Sequence, residues 1–250
     1  MRTSLCVVLA LLASPAIAQI SLPTGGQQFV DFSQHLAHPG ACVVVGTLGK
    51  WKEGKREKMA EGQLGGGGQV ASISGSQYFR VPVTAPVKVR ATLHGTAKDV
   101  VLQFDVQLAR LPDGKERRQV EGGTELAEDQ LAMFVFVPAK KKGHELRAVV
   151  AFDGKVEAGG EASFLDTMRD HYTVNRRMHE LTAALEVLDR AKDDGQKKAA
   201  RQALQELVDK KPELKNPKHD NLLTMHCGPL EQRAQKRLAE GAATPVEAGK

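Results

Sequence analysis

The chain has 250 residues, 35 Lys and Arg against 30 Asp and Glu, a formal charge of +5, and only 4% aromatic residues. So mixed a charge argues against a nucleic-acid face, which gathers Lys and Arg on one side. The scarcity of Tyr and Trp argues against stacking sites for bases or sugars.

The first segment carries an address. Arg2 precedes a short apolar run, residues 5–12 (LCVVLALL), which Pro15 breaks before Ala16-Ile17-Ala18. A positive start, an apolar centre and small residues at a cleavage site form the pattern of a secretory signal peptide over residues 1–18. The run is shorter than the roughly 20 residues a membrane span needs. The expected mature chain begins near Gln19, is exported to the periplasm or beyond, and has no membrane span.

Residues 19–40 read as a polar lead-in with one helical turn at 31–36, stopped by Pro39-Gly40. Strand signals fill residues 41–157. Ala41 to Gly46 is a β-branched run, and Val70 to Ile73 is another. Residues 78–83 alternate, and Val87, Val89, Ala91 and Leu93 point one way while Lys88, Arg90 and Thr92 point the other. A period of two marks a half-buried strand. Leu102, Phe104, Val106 and Leu108 repeat it up to the turn Leu111-Pro112-Asp113-Gly114, where Pro presets φ and Gly accepts a positive one. Residues 131–137 (LAMFVFV) are apolar throughout, as in a strand covered on both faces. Leu146, Ala148, Val150 and Phe152 alternate again up to Asp153-Gly154, a hairpin signal. Gly49 to Gly68, charged and ending in four glycines, reads as a long mobile loop. Residues 124–130 read as a helical turn or a loop.

Beyond Gly159-Gly160 the period becomes helical. Leu165, Met168, Tyr172, Met178, Leu181, Leu185 and Leu188 predict one helix of about thirty residues. Asp193-Asp194-Gly195 ends it. A second helix uses Ala199, Ala203, Leu204, Leu207 and Val208 and stops before Pro212. Pro229 suits the first turn of a last helix. The helical segment spans 161–240, its first two helices forming an antiparallel hairpin, and 241–250 is expected to be a disordered tail. The fold class is α+β: an N-terminal antiparallel β-barrel or sandwich, then a helical hairpin.

Several chemistries lack their residues. Gly68 is followed by Gln69-Val70 instead of the Lys-Ser/Thr that a phosphate loop requires, and no strand and helix flank the glycines as a dinucleotide fingerprint needs. No G-x-S-x-G elbow, H-E-x-x-H or Cys-x-x-Cys-His occurs. Asp166, Asp170, Glu180 and Glu186 read as solvated helix charges paired with Arg169, Arg176 and Arg190. Once Cys6 leaves with the signal, Cys42 and Cys227 remain. In an oxidising compartment they are expected to form a disulfide, stabilising by about 4–5 kcal/mol as an upper value. If reduced, they could join two of His35, His38, His219 and His226 as four zinc ligands. Lys50, Lys52, Lys55 and Arg56, with Lys140, Lys141 and Lys142, read as loop charges or as a weak anion-binding surface.

Cys42-Val43-Val44-Val45-Gly46, a variable loop, Val87 to Gly95 (VKVRATLHG), Val100 to Leu108, Gly122-Gly123 and Met133 to Val137 follow one another in a recognisable order. Residues 41–152 thereby resemble the secreted OB-like barrels of the netrin/tissue-inhibitor-of-metalloproteinases type. The resemblance implies an OB-like barrel acting as a binding module. His94 stands where that pattern has Lys. The N-terminal Cys-x-Cys whose amine and carbonyl chelate a target's zinc is missing, so inhibition of that kind is not implied. The expected function is an exported, non-catalytic binding module for an unknown protein or an envelope polymer, with no cofactor and no nucleic acid. The alternative is a metal-binding protein or metal-dependent enzyme built on the His/Cys set.

Overall fold

The computed structural model describes residues 29–59, 75–98, 100–120, 124, 126–139, 143–152 and 160–242. The expected signal peptide, the run at 70–73, Gly65–Gly68, Lys140–Lys142 and residues 243–250 lie outside the described residues. A 3-10 turn, Ser33–Ala37, falls where the lead-in predicts a helical turn. Eight strands follow: β1 Cys42–Leu48, β2 Lys52–Glu53, β3 Glu57–Lys58, β4 Gln77–His94, β5 Val100–Arg110, β6 Glu116–Val120, β7 Leu131–Pro138 and β8 His144–Ala151. Helices α1 Gly160–Arg190, α2 Asp194–Asp209, α3 Asp220–Leu222 and α4 Gly228–Ala242 complete the chain. Strands first and helices afterwards is the expected mixed α+β arrangement.

The strands form one sheet in the order β2-β4-β1-β7-β8-β5-β6, with β3 also on β4 and a further ladder joining β4 to β5. Every pairing is antiparallel except that of β5 with β8. β4 changes partners midway: residues from Val87 onward pair with β1, and the earlier half pairs with β2 and β3. β5 does the same on its far side, meeting β8 at Leu102 and Gln103 and β6 from Val106 onward.

Three local expectations need correction. The two alternating stretches at 78–83 and 87–93 are one long strand, β4, because the ladder to β5 runs without a break from Gln77 to Val87. Part of the expected mobile loop is ordered as β2 and β3. Gly49 and Gly54 donate their N–H groups to Pro86 and Pro82 at 2.8 and 2.7 Å. A Cβ on either glycine would lie 2.9 Å from the proline ring, so only glycine lets this segment lie so close to β4. β6 was not expected from its charged sequence, ERRQV. It is held as the second strand of a hairpin by the predicted turn, where Gly114 adopts φ +82°.

β1 and β7 are buried on both faces, as the all-apolar run predicts. Inward, Val44, Leu48, Phe134 and Phe136 join Val83, Leu102 and Leu108 in one core. Outward, Val43, Val45, Met133 and Val135 meet Phe32, Leu36 and the α1 side chains Phe164 and Met168 in a second. The far half of α1 makes a third core, in which Leu181 and Leu185 pack with Leu204 of α2, Leu222, Cys227 and Ala234 of α4. One helix of 31 residues therefore serves both the sheet and the helical bundle. Asp193 starts α2 by accepting a bond from the Gln196 N–H at 2.8 Å, an N-cap that satisfies one of the free amides of the first turn.

The last helix departs from the expectation of a fresh start at Pro229. A π-helical turn, Leu223–Cys227, leads directly into α4. Pro229 has no N–H for the carbonyl four residues back, and its ring would strike that carbonyl in a regular helix. The wider π turn relieves that conflict. α4 also reaches Ala242, inside the segment expected to be a disordered tail.

Candidate functional site

The pairing of β5 with β8 ends at Gln103 with Glu145. Beyond it, β5 turns to β6 and β8 continues beside β7. Arg147 has no partner in the β7 ladder, where Val135 faces Ala148 and Phe136 faces Leu146. Such a bulge bends its strand and sharpens its twist, and here it sits where β8 leaves β5. Among the described residues, no strand pairs with β8 on that side from Leu146 to Val149.

A groove of about 360 Å³ opens along this seam. Its walls come from β4 (Pro82, Val83, Thr84), β5 (Gln103, Phe104, Asp105), Val120 of β6, and β8 from Glu145 to Val149. The apolar groups Val83, Phe104, Leu146 and Val149 belong to, or pack against, the inner core. Phe104 is backed by Trp51, edge-on at 6.0 Å between ring centroids, and Arg118 covers the indole at 5.6 Å. The charged groups of the groove are committed in pairs: Arg147 with Glu145 at 3.0 Å, and Asp105 with Arg80 at 3.5 Å.

A second polar cluster lies where the lead-in and the last helices meet α1. Asp170 was expected to be a solvated helix charge; it is instead 1% exposed. Its carboxylate accepts from the N–H groups of Lys215 and Asn216 at 2.7 and 3.0 Å and pairs with Nδ1 of His219 at 2.8 Å. His171, also 1% exposed, has no hydrogen-bond partner at Nδ1. Its ring touches those of Phe29 and His219, with centroids 5.3 and 6.4 Å away. Burial, reinforced by neighbouring His219, lowers its pKa to about 4. The other acids named with Asp170 do pair along α1: Asp166 with Arg169, Glu180 with Arg176, and Glu186 with Arg190. The sequence did carry a signal for this cluster. Two polar residues four apart, His171 and Asn175, fall on the buried face of α1 beside Met168 and Val174.

The expected disulfide is absent: Cys42 and Cys227 are both free and buried. Cys42 belongs to the inner core of the sheet and Cys227 to the core of the helical bundle, so the fold keeps them in separate packing units. Burial raises both thiol pKa values, that of Cys227 to about 12 with help from nearby Glu231.

The four candidate ligand histidines fall in two places: His35 and His38 at the lead-in turn, and His219 and His226 against the Phe29–His171 ring pair. His35 and His38 lie in and beside the 3-10 turn against the sheet, with Nδ1 of His38 2.7 Å from its neighbour's carbonyl. His219 is held by Asp170. His226, in the π turn, stacks on Phe29 at 3.9 Å. Among the described residues, no group of three or more His, Cys, Asp and Glu is placed to hold a metal ion.

Of the basic cluster, Lys50, Lys52 and Lys55 are exposed. Arg56 is bound to Glu53 at 3.0 Å and Glu116 at 3.1 Å. Arg118 reaches Glu53 as well, so the arginines at this end of the sheet are paired with carboxylates.

Comparison with protein-family models, with curated proteins and with solved structures gives no match.

Proposed function

We propose that the chain is an exported, non-catalytic binding module. Its sheet is an OB-like barrel, and its reading surface is the open seam between β5 and β8. The circuit of ladders β1–β4, β4–β5, β5–β8, β8–β7 and β7–β1 supports the closure, since each of these five strands has two neighbours within the set. Such a circuit suits a partly open five-stranded barrel. The signal-like residues 1–18 support export.

The seam itself carries the reading. A strand edge without a neighbour offers backbone N–H and C=O groups, and these are best satisfied by another extended chain. The ligand is therefore an extended segment of a partner protein, lying along Leu146 to Val149 with side chains directed at Val83 and Phe104. Strand addition of this kind draws affinity from main-chain bonds and specificity from alternate side-chain pockets.

The test is a random-peptide display selection on the mature protein, followed by hydrogen exchange on the complexes. Enriched peptides that protect the amides of Leu146 to Val149, and that Thr84→Arg weakens, support the reading. Peptides that protect only helical amides, an anionic polymer that alone binds the seam, or turnover of a generic ester, peptide or glycoside panel would overturn it.

A further inference from the structure

Away from the seam, the end of α1, the first half of α2 and the end of α4 line an open pocket of about 270 Å³. Leu188, Asp189 and Ala191 line it from the α1 side, Lys197 and Arg201 from α2, and Arg237 and Glu240 from α4. Its charges are unevenly matched. Asp189 is taken by Arg233 at 3.1 Å and by Arg237, and Glu240 is taken by Arg237 at 3.2 Å. Lys197 and Arg201, one helical turn apart and both half-buried, have no carboxylate partner among the described residues. Nε of Arg201 is shut off from water and makes no hydrogen bond. An N–H group withdrawn from water without a partner is costly, more so on a charged group. Lys197 stands in the first turn of α2, at the positive end of its dipole.

We propose that this pocket is a subsite for a tetrahedral oxyanion, a phosphate or sulfate group. Arg201, which lines the pocket, meets the anion through its terminal guanidinium N–H groups, since its Nε is closed off even from water, and charge-assisted bonds of guanidinium to phosphate are among the strong ones. Lys197 supplies a point charge from the next turn. The two acids of the wall, Asp189 and Glu240, are paired with Arg233 and Arg237, which offsets their repulsion. The anion could arrive free or as a group on an envelope polymer; the recognising chemistry is the same. The site is independent of the seam, being built from helices alone.

The experiment is a titration of the mature protein with sodium phosphate, and separately with polyphosphate, at constant ionic strength set with chloride. It is followed by NMR at the Arg201 guanidinium and the Lys197 side chain. Saturable shifts are expected with inorganic phosphate. Affinity should fall about tenfold or more in the Lys197→Gln/Arg201→Gln variant, as loss of charge-assisted bonds implies. A Lys52→Gln/Lys55→Gln variant should bind unchanged. Binding of polyphosphate alone, with the same dependence on Lys197 and Arg201, would support the site and assign its anion to a polymer. Silence at the Arg201 guanidinium with both probes would overturn the proposal, as would equal shifts with chloride or equal affinities in the two variants. The native-protein signals decide the matter even if the double variant misfolds.

Discussion

Asn175 holds the main chain of Phe32 from the middle of α1. Its Oδ1 accepts the Phe32 N–H at 2.6 Å, and its Nδ2 donates to the Val30 carbonyl at 3.1 Å and the His171 carbonyl at 2.9 Å. The side chain is 0% exposed, and it acts toward the lead-in as a neighbouring strand would. Removing it strands a buried N–H and a carbonyl, at about 1–3 kcal/mol for such groups. Asn175→Ala is expected to cost about 3 kcal/mol in urea unfolding and to speed hydrogen exchange at Phe32. A loss under 1 kcal/mol with unchanged exchange would mean that the lead-in is held by its apolar contacts alone.

His171 predicts an acid-sensitive fold. Its imidazole has an ordinary pKa of 6.5 and is lowered to about 4 here. Between those values the unfolded chain binds a proton that the folded chain refuses. Its stabilisation is therefore complete above pH 6.5 and is lost as pH falls toward 4, by roughly 3 kcal/mol in all. His226, lowered by burial, acts in the same direction. The measurement is urea unfolding at several pH values for the native protein and for His171→Phe, which keeps a ring beside Phe29 without the titration. The variant's stability should fall less steeply over that window; parallel curves would remove His171 as the cause.

The free cysteines make a prediction about reactivity. A thiolate is the reactive form, and both thiols are buried with raised pKa values. Iodoacetamide at pH 8 should leave Cys42 and Cys227 unlabelled in the folded protein and label both in urea. Reduction should leave the mass of the protein unchanged. A mass two hydrogens low before reduction would instead restore the disulfide expected from cysteine number and compartment.

The disulfide shows where reading the sequence reached its limit. An even pair of cysteines says nothing of which packing unit each enters, and these two fall in different ones. Regular elements were legible wherever burial imposed a period: the doubly covered β7, the alternating β5 and β8, and the long α1. β6 was hidden because its charged side chains answer Arg110 and Glu53, residues remote from it in sequence or on another strand. The seam was hidden for a related reason, since it depends on where one strand exchanges partners. Asp170 looked like any helix acid until the loop at 215–219 came back to it.

Sharing of α1 between sheet and bundle predicts that the two parts unfold together. Met168 is 0% exposed against the outer face of the sheet, and Leu181 is 0% exposed among the bundle helices. They lie on one uninterrupted helix, so melting either half exposes apolar surface in the other. Leu→Ala and Met→Ala changes at such sites typically cost about 2–5 kcal/mol. Met168→Ala and Leu181→Ala should each lower a single urea transition, seen alike by far-ultraviolet circular dichroism and by the fluorescence of Trp51. Trp51 lies on the sheet, so it reports Leu181→Ala only if the bundle's loss reaches the strands. A Leu181→Ala protein whose helical signal melts before its fluorescence changes would show two independent units, with α1 a tether between them.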